Sequence, residues 1–164
     1  MLRGVAQGGS IAFWKMSGAG NDFIVLPFAP EVLAEPVSTF VRRVCRRGLD
    51  VGADGVLFVT RGTRRPDAGA VLVHYNADGG RSDFCGNGSR CAASFAVLMG
   101  FAASPVELHT DAGLLRAEVM GEVVRIQAPT PTAPKRVVCE AAGTSVEGWL
   151  LVAGVPHFVL LVPS

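Results

Sequence analysis

The apolar residues of this chain come in short runs, each closed by glycine, proline or a polar turn. Ala12 to Met16 and Phe23 to Leu26 flank the separator Ser17-Gly18-Ala19-Gly20-Asn21-Asp22. Gly, Asn and Asp tolerate the backbone angles that tight turns require, so the separator predicts a polar loop between two strands. Val56 to Val59 and Val71 to Tyr75 read as strands, joined by a polar, hairpin-like connection from Arg61 to Gly69. Further β-like stretches cover Val106 to Thr110, Leu114 to Met120 and Val123 to Gln127, with Gly113 and Gly121 at the turns. A last pair of strands is expected over Gly148 to Ala153 and Phe158 to Val162. Two stretches have helical spacing instead. Ser38 to Arg47 sets Phe40, Val41 and Val44 against arginines, with Ser38 as N-cap and Gly48 as stop. Gly86 to Met99 carries Ala92, Ala93, Phe95, Ala96, Leu98 and Met99 on a mostly buried helix that Gly100 ends. Strands in runs, with few helices between them, predict an α+β fold.

Composition excludes several classes of function. Apolar residues make up 49% of the 164, too many for a disordered chain. The net charge is +1 and the basic residues are scattered, so no electrostatic footprint for nucleic acid or an anionic membrane is expected. Arg42-Arg43 and Arg46-Arg47 read as a solvated helix face. The tail from Trp149 to Val162 is interrupted by Gly154, Pro156 and His157 and is too short to span a bilayer. Residues 1–11 read as a loose leader without the apolar core of a signal peptide, and the expected compartment is the cytoplasm. There, Cys45, Cys85, Cys91 and Cys139 should be free thiols.

One of these thiols stands out by its surroundings. A strand ends near Asn76, a turn follows, and a helix begins just after Cys85 in Phe84-Cys85-Gly86-Asn87-Gly88. The helix dipole and the unpaired first-turn N–H groups favour negative charge at such a point. Cys85 is therefore a candidate thiolate base or nucleophile. Gly86 and Gly88 let a ligand approach the backbone, whose amides suit a carboxylate or phosphate. The competing reading is a small buried Cys with glycines that only shape a turn. Cys91 lies six residues on, about 240° further round a helix, and reads as core. The spacing from Cys85 to Cys91 suits no zinc knuckle, and no Gly-Lys-Ser/Thr follows to make a phosphate-binding loop.

Four segments in register resemble the diaminopimelate epimerase family: Phe13-Trp14-Lys15-Met16-Ser17-Gly18-Ala19-Gly20-Asn21-Asp22-Phe23, Gly52-Ala53-Asp54-Gly55, Tyr75-Asn76-Ala77-Asp78-Gly79 with Cys85-Gly86-Asn87-Gly88-Ser89-Arg90-Cys91, and Gly154-Val155-Pro156-His157. The resemblance implies a curved, mostly antiparallel sheet around a central helix, in a domain over 12–134. Residues 135–164 would begin the segment leading to a second domain. It also implies a reaction: LL-diaminopimelate is converted to the meso form, for lysine and peptidoglycan precursors, without pyridoxal phosphate, metal or other cofactor. One thiolate removes the α-proton and a second thiol protonates the opposite face, because inversion needs groups on both sides of one carbon. By the same resemblance Cys85 is the first acid/base, and Gly86 and Asn87 hold the α-carboxylate. Asn21 and Asn76 hydrogen-bond the substrate, and His157 lies near the reacting centre and tunes the thiols.

The sequence departs from the family at Gly55, where other members carry Gln, and at Val155, where many carry Asn. The family's second Cys-Gly-x-Gly motif has no counterpart in the chain, so the expectation is a polypeptide inactive alone that needs a C-terminal half or a partner copy as a homodimer. Two alternatives stand beside this reading. One is another cofactor-independent amino-acid racemase; the proline-racemase branch carries His where Asn87 stands, and the phenazine branch lacks the cysteine. The other is a degenerate half-domain that only binds an amino acid or a protein.

Overall fold

The computed structural model describes residues 2–5, 9–62 and 69–162. Two compact units divide the chain between residues 127 and 128, at the start of the proline-bearing connector. The first unit opens with a hairpin of β1 (Leu2–Val5) and β2 (Gly9–Ile11). Ile11 is buried, so part of the segment expected as a loose leader is paired and anchored.

The main sheet begins with β3 (Trp14–Gly18) and β4 (Asn21–Leu26), which pair antiparallel with Gly18 opposite Asn21. Only Ala19 and Gly20 lie between them, both at positive φ (49° and 94°). That is the geometry of a type I′ hairpin, whose twist matches that of the strands. The expected loop is thus shorter than its polar residues suggested, because Ser17, Gly18, Asn21 and Asp22 belong to the ladder. Next comes α1 (Val37–Val44), which buries Phe40, Val41 and Val44. Its N-cap is Pro36, which makes no side-chain cap, so Ser38 lies inside the helix and is not its start. Gly48 sits beyond the helix end at φ 77°.

Strands β5 (Gly55–Arg61) and β6 (Ala70–Asn76) pair antiparallel; most of their connection, residues 63–68, lies outside the described residues. The short β7 (Arg81–Ser82) pairs with β6, and α2 (Gly86–Leu98) follows. Then come β8 (Val106–Thr110), β9 (Gly113–Met120) and β10 (Val123–Ile126). The strand order is β10-β9-β8-β6-β5-β4-β3, with β7 beside β6. The pairs β4–β5 and β6–β8 are parallel and the others antiparallel. Helix α2 packs against strands from β3 at one edge to β10 at the other, so the sheet curls round it. This is the α+β arrangement expected from the sequence.

Two cores explain the central strands. Phe23, Val25, Leu57 and Val59 face α2 with Phe95, Leu108 and Ala92, while Ile24, Leu26, Val56 and Phe58 face Phe40, Val41 and Val44 of α1. Strands buried on both faces read as continuous apolar runs, which is what β4 and β5 are.

The second unit is a three-stranded antiparallel sheet of β11 (Lys135–Ala141), β12 (Thr144–Ala153) and β13 (Val155–Val159). Strand β11 was not foreseen, and the last two strands start earlier than their apolar residues indicated. An apolar groove of about 310 Å³ runs between Pro134, Trp149, Leu151, Val159 and Leu161.

Candidate active site at the start of the central helix

Cys85 is the N-cap of α2, with extended backbone at φ −146° and ψ 112°. Its Sγ accepts the N–H of Gly88 at 3.4 Å, the bond a Ser or Asp cap would make. The carbonyl of Cys85 accepts Ser89 N at 2.8 Å, the first turn of the helix. The amides of Gly86 and Asn87 have no acceptor among the described residues. Two unpaired N–H groups at the positive end of a helix suit an anionic oxygen. Cys85 is half-buried against the α2 core, and Gly86 has only ordinary contacts where a side chain would start. The other thiols N-cap no helix. Cys45 and Cys91 are buried, and burial pushes each up to about 11. Cys139 is exposed on β11 in the second unit.

The β3–β4 hairpin presses on this helix start. A Cβ at Gly18 would lie 2.8 Å from the carbonyl oxygen of Asn87 and 3.1 Å from Cys91 Sγ, so only glycine allows this approach. Just past the turn, the Asn21 side chain donates to Asp54 Oδ2 at 3.1 Å and accepts from Asn87 Nδ2 at 2.6 Å. Arg90, one helical turn along, donates to Asn87 Oδ1. Asp54 also accepts the Asp22 N–H at 3.1 Å and Arg47 Nη2 at 2.7 Å. Asp22 is held by Lys15 Nζ at 2.6 Å and by Arg47. The hydrogen bonds from Arg47 and Lys15 hold the Asp22 carboxyl well below the usual carboxylate range. The Asn21 side chain, then the Asp22 amide and Arg47, lower Asp54 in the same direction.

Of the residues singled out in the sequence, Cys85, Gly86 and Asn87 share the helix start, and Asn21 joins them through Asn87. No hydrogen bond joins Asn76 to them among the described residues. It ends β6 with an exposed side chain, opposite Gly55, while β5 separates it from β4. Its backbone closes the turn to Gly79 and Gly80. His157 belongs to the second unit, exposed on β13 opposite Leu151.

Several residues escaped the sequence reading. Arg47 is no part of a solvated helix face: it lies past the end of α1 and clamps Asp22 and Asp54. Arg43 likewise pairs with Glu35 at 2.6 Å. Nothing local marks these long-range partners, although the spacing of Asn87 and Arg90 does fit a same-face helical pair. His74 is buried on β6, edge-on to Phe23 with ring centroids 5.7 Å apart. Neither of its nitrogens has a partner among the described residues, and burial pushes it down to about 4.

A family model described as diaminopimelate epimerase matches residues 13–130. This chain belongs to the diaminopimelate epimerase family. The diaminopimelate epimerase of Aquifex aeolicus is 36% identical over 159 residues, which are 92% of this chain and 57% of that protein. That of Archaeoglobus fulgidus is 34% identical over 169 residues, 94% of this chain and 59% of that protein. The chain thus spans little more than half the length of these curated relatives. Among solved structures, a hydroxyproline epimerase from Agrobacterium vitis with bound trans-4-hydroxy-L-proline aligns with TM-score 0.62 at 16% identity, over 90% of this chain and 50% of that one. A PhzF-family phenazine biosynthesis protein from Bacillus anthracis aligns at 0.53 and 13% identity, over 86% of this chain and 53% of that one. At these identities the structural likeness concerns the fold. No helix among the described residues is long and apolar enough to cross a membrane.

Proposed function

We propose that this chain supplies one proton-transfer face of a cytoplasmic diaminopimelate epimerase, with Cys85 as its acid/base. The observation that carries the reading is the pairing of a capping thiol with the acceptor-free amides of Gly86 and Asn87, in a chain of this family. The amides would hold the substrate α-carboxylate, where they also stabilise charge that develops on it. The Cys85 thiolate would then take the α-proton: the Cα–H bond breaks, S–H forms, and the electron pair delocalises into the carboxylate. Inversion is completed by a second thiol on the opposite face. Asn21 and Asn76 are proposed to hydrogen-bond the substrate, and His157 to tune the thiols. None of Cys45, Cys91 and Cys139 is assigned the second thiol's role.

The test is solvent-deuterium incorporation at the α-carbon of LL-diaminopimelate, with chiral separation of LL and meso products. The chain by itself is expected to give no net conversion to meso, and efficient conversion would sink the one-face reading. Paired with a second half that carries the other thiol, it should convert, and Cys85→Ala should cut the rate by about 10²–10⁴-fold. Retained turnover in that variant would remove Cys85 from the mechanism.

A further inference from the structure

We infer that Asp54 and Arg90 are positioning residues that fix which way the Asn21 and Asn87 amides face, and through them the start of α2. This inference rests on the proposed function above. The four side chains form one directed series of hydrogen bonds: Arg90 donates to Asn87 Oδ1, Asn87 Nδ2 donates to Asn21 Oδ1, and Asn21 Nδ2 donates to Asp54 Oδ2.

An asparagine amide can flip end for end, because its oxygen and nitrogen are nearly the same shape. In this series neither can flip. A guanidinium only donates, so it forces oxygen toward itself at Asn87. An ionised carboxylate only accepts, so it forces nitrogen toward itself at Asn21. The middle bond then has a single sense consistent with both ends. Asp54 is itself pinned, since Arg47 takes Oδ1 and the Asp22 N–H shares Oδ2. The set bridges three separate elements: the end of the β3–β4 hairpin, the residue before β5, and the first turn of α2.

The consequence for a ligand is specific. Each Nδ2 spends one N–H in the series and keeps a second. Two asparagines so oriented keep further donors in addition to the open amides of Gly86 and Asn87. Such a set suits carboxylate oxygens and repels an ammonium. Reversing either amide would present oxygen instead and turn the preference round. Asp54 and Arg90 act through the asparagines and need no contact with the substrate.

The experiment combines two readouts on the 164-residue chain, with the melting temperature as a control for folding. The first follows the side-chain amide signals of Asn21 and Asn87 by ¹H–¹⁵N NMR as the pH is lowered past the ordinary carboxylate range, below which its Asn21, Asp22 and Arg47 partners hold Asp54. The second is calorimetric titration with diaminopimelate. In the unaltered chain each amide should give one pair of signals, and both pairs should shift together as Asp54 protonates. Asp54→Asn should uncouple them, giving broadened or doubled signals, and weaken binding about tenfold or more, the scale of a charge-assisted hydrogen bond. Arg90→Gln should do the same from the other end, while Arg90→Lys, which still only donates, should restore most of both effects. Single, unshifted amide signals with unchanged affinity in Asp54→Asn would overturn the inference, as would a loss of affinity that merely tracks the melting temperature. If the unaltered chain fails to bind diaminopimelate even when paired with the second half, the functional reading falls, and the amide signals still decide whether Asp54 and Arg90 set the two orientations.

Discussion

In the first unit Val56, Leu57, Phe58 and Val59 are all shut away from solvent, alternately toward α1 and α2. In the second unit, Leu150, Val152, Phe158 and Val159 stand 40–42% exposed on strands just as well paired. Both regions have apolar strands, tight glycine turns and regular antiparallel ladders. They differ in that the first has helices to lay across its sheet. Backbone pairing alone satisfies N–H and C=O groups but removes little apolar area from water, and that area is the dominant source of stability. The candidate site lies in the covered unit, at the start of the helix the sheet curls around, where Cys85, Gly86 and Asn87 are half-buried.

The sharpest way to break this comparison is to remove one aromatic from each region. Phe95 is fully buried and meets Trp14 edge-on with centroids 5.0 Å apart. Phe95→Ala should cost about 3–5 kcal/mol in urea unfolding, and Phe158→Ala about 0.5 kcal/mol or less, as at other exposed sites. Equal losses would mean that the second sheet is covered after all. Next in size is the contact between the hairpin and α2. Gly18→Ala should lose about 1–3 kcal/mol by overpacking and alter the rate at which iodoacetamide labels Cys85. An unchanged melt and labelling rate would show the approach to be looser than 2.8 Å implies.

His74, buried on β6, gives the first unit an acid-sensitive point, whereas His157 of the second unit is exposed. An imidazole titrates near 6.5 in the unfolded chain, and burial brings His74 to about 4 in the fold. Between those values the unfolded chain binds the extra proton. Stability is therefore complete above about 6.5 and falls as the pH drops toward 4. Melting temperatures across that window should show the decline, and His74→Leu should flatten it. The smallest expected difference concerns ion pairs. Arg47 joins two carboxylates in a network with Lys15, whereas Arg136 pairs singly with Glu147 on the exposed second sheet. Arg47→Ala should lower the melting temperature measurably and Arg136→Ala should not, because isolated surface pairs contribute little.

The helix over Gly86 to Met99 with its start at Cys85, and most strands of the main sheet, were legible from the sequence because each is decided by neighbours in the chain, whereas the segment of the β1–β2 hairpin reads as a loose leader. A strand is read from its own apolar residues, a turn from its glycine, a helix start from the residues around its first turn. Strand β11 escaped because its burial is slight along its whole length, which leaves Lys135 to Ala141 without the alternation that marks a half-buried strand. Ser38 misled because Pro36 had already begun the helix. What only the tertiary structure decided is the company Cys85 keeps. Asn21 meets Asn87 across 66 residues of chain, and Asp54 meets Asn21 across 33. Those meetings depend on the parallel pairing of β4 with β5 and on the absence of a side chain at Gly18. Sheet order and close packing are properties of the whole first unit, and no local pattern encodes them.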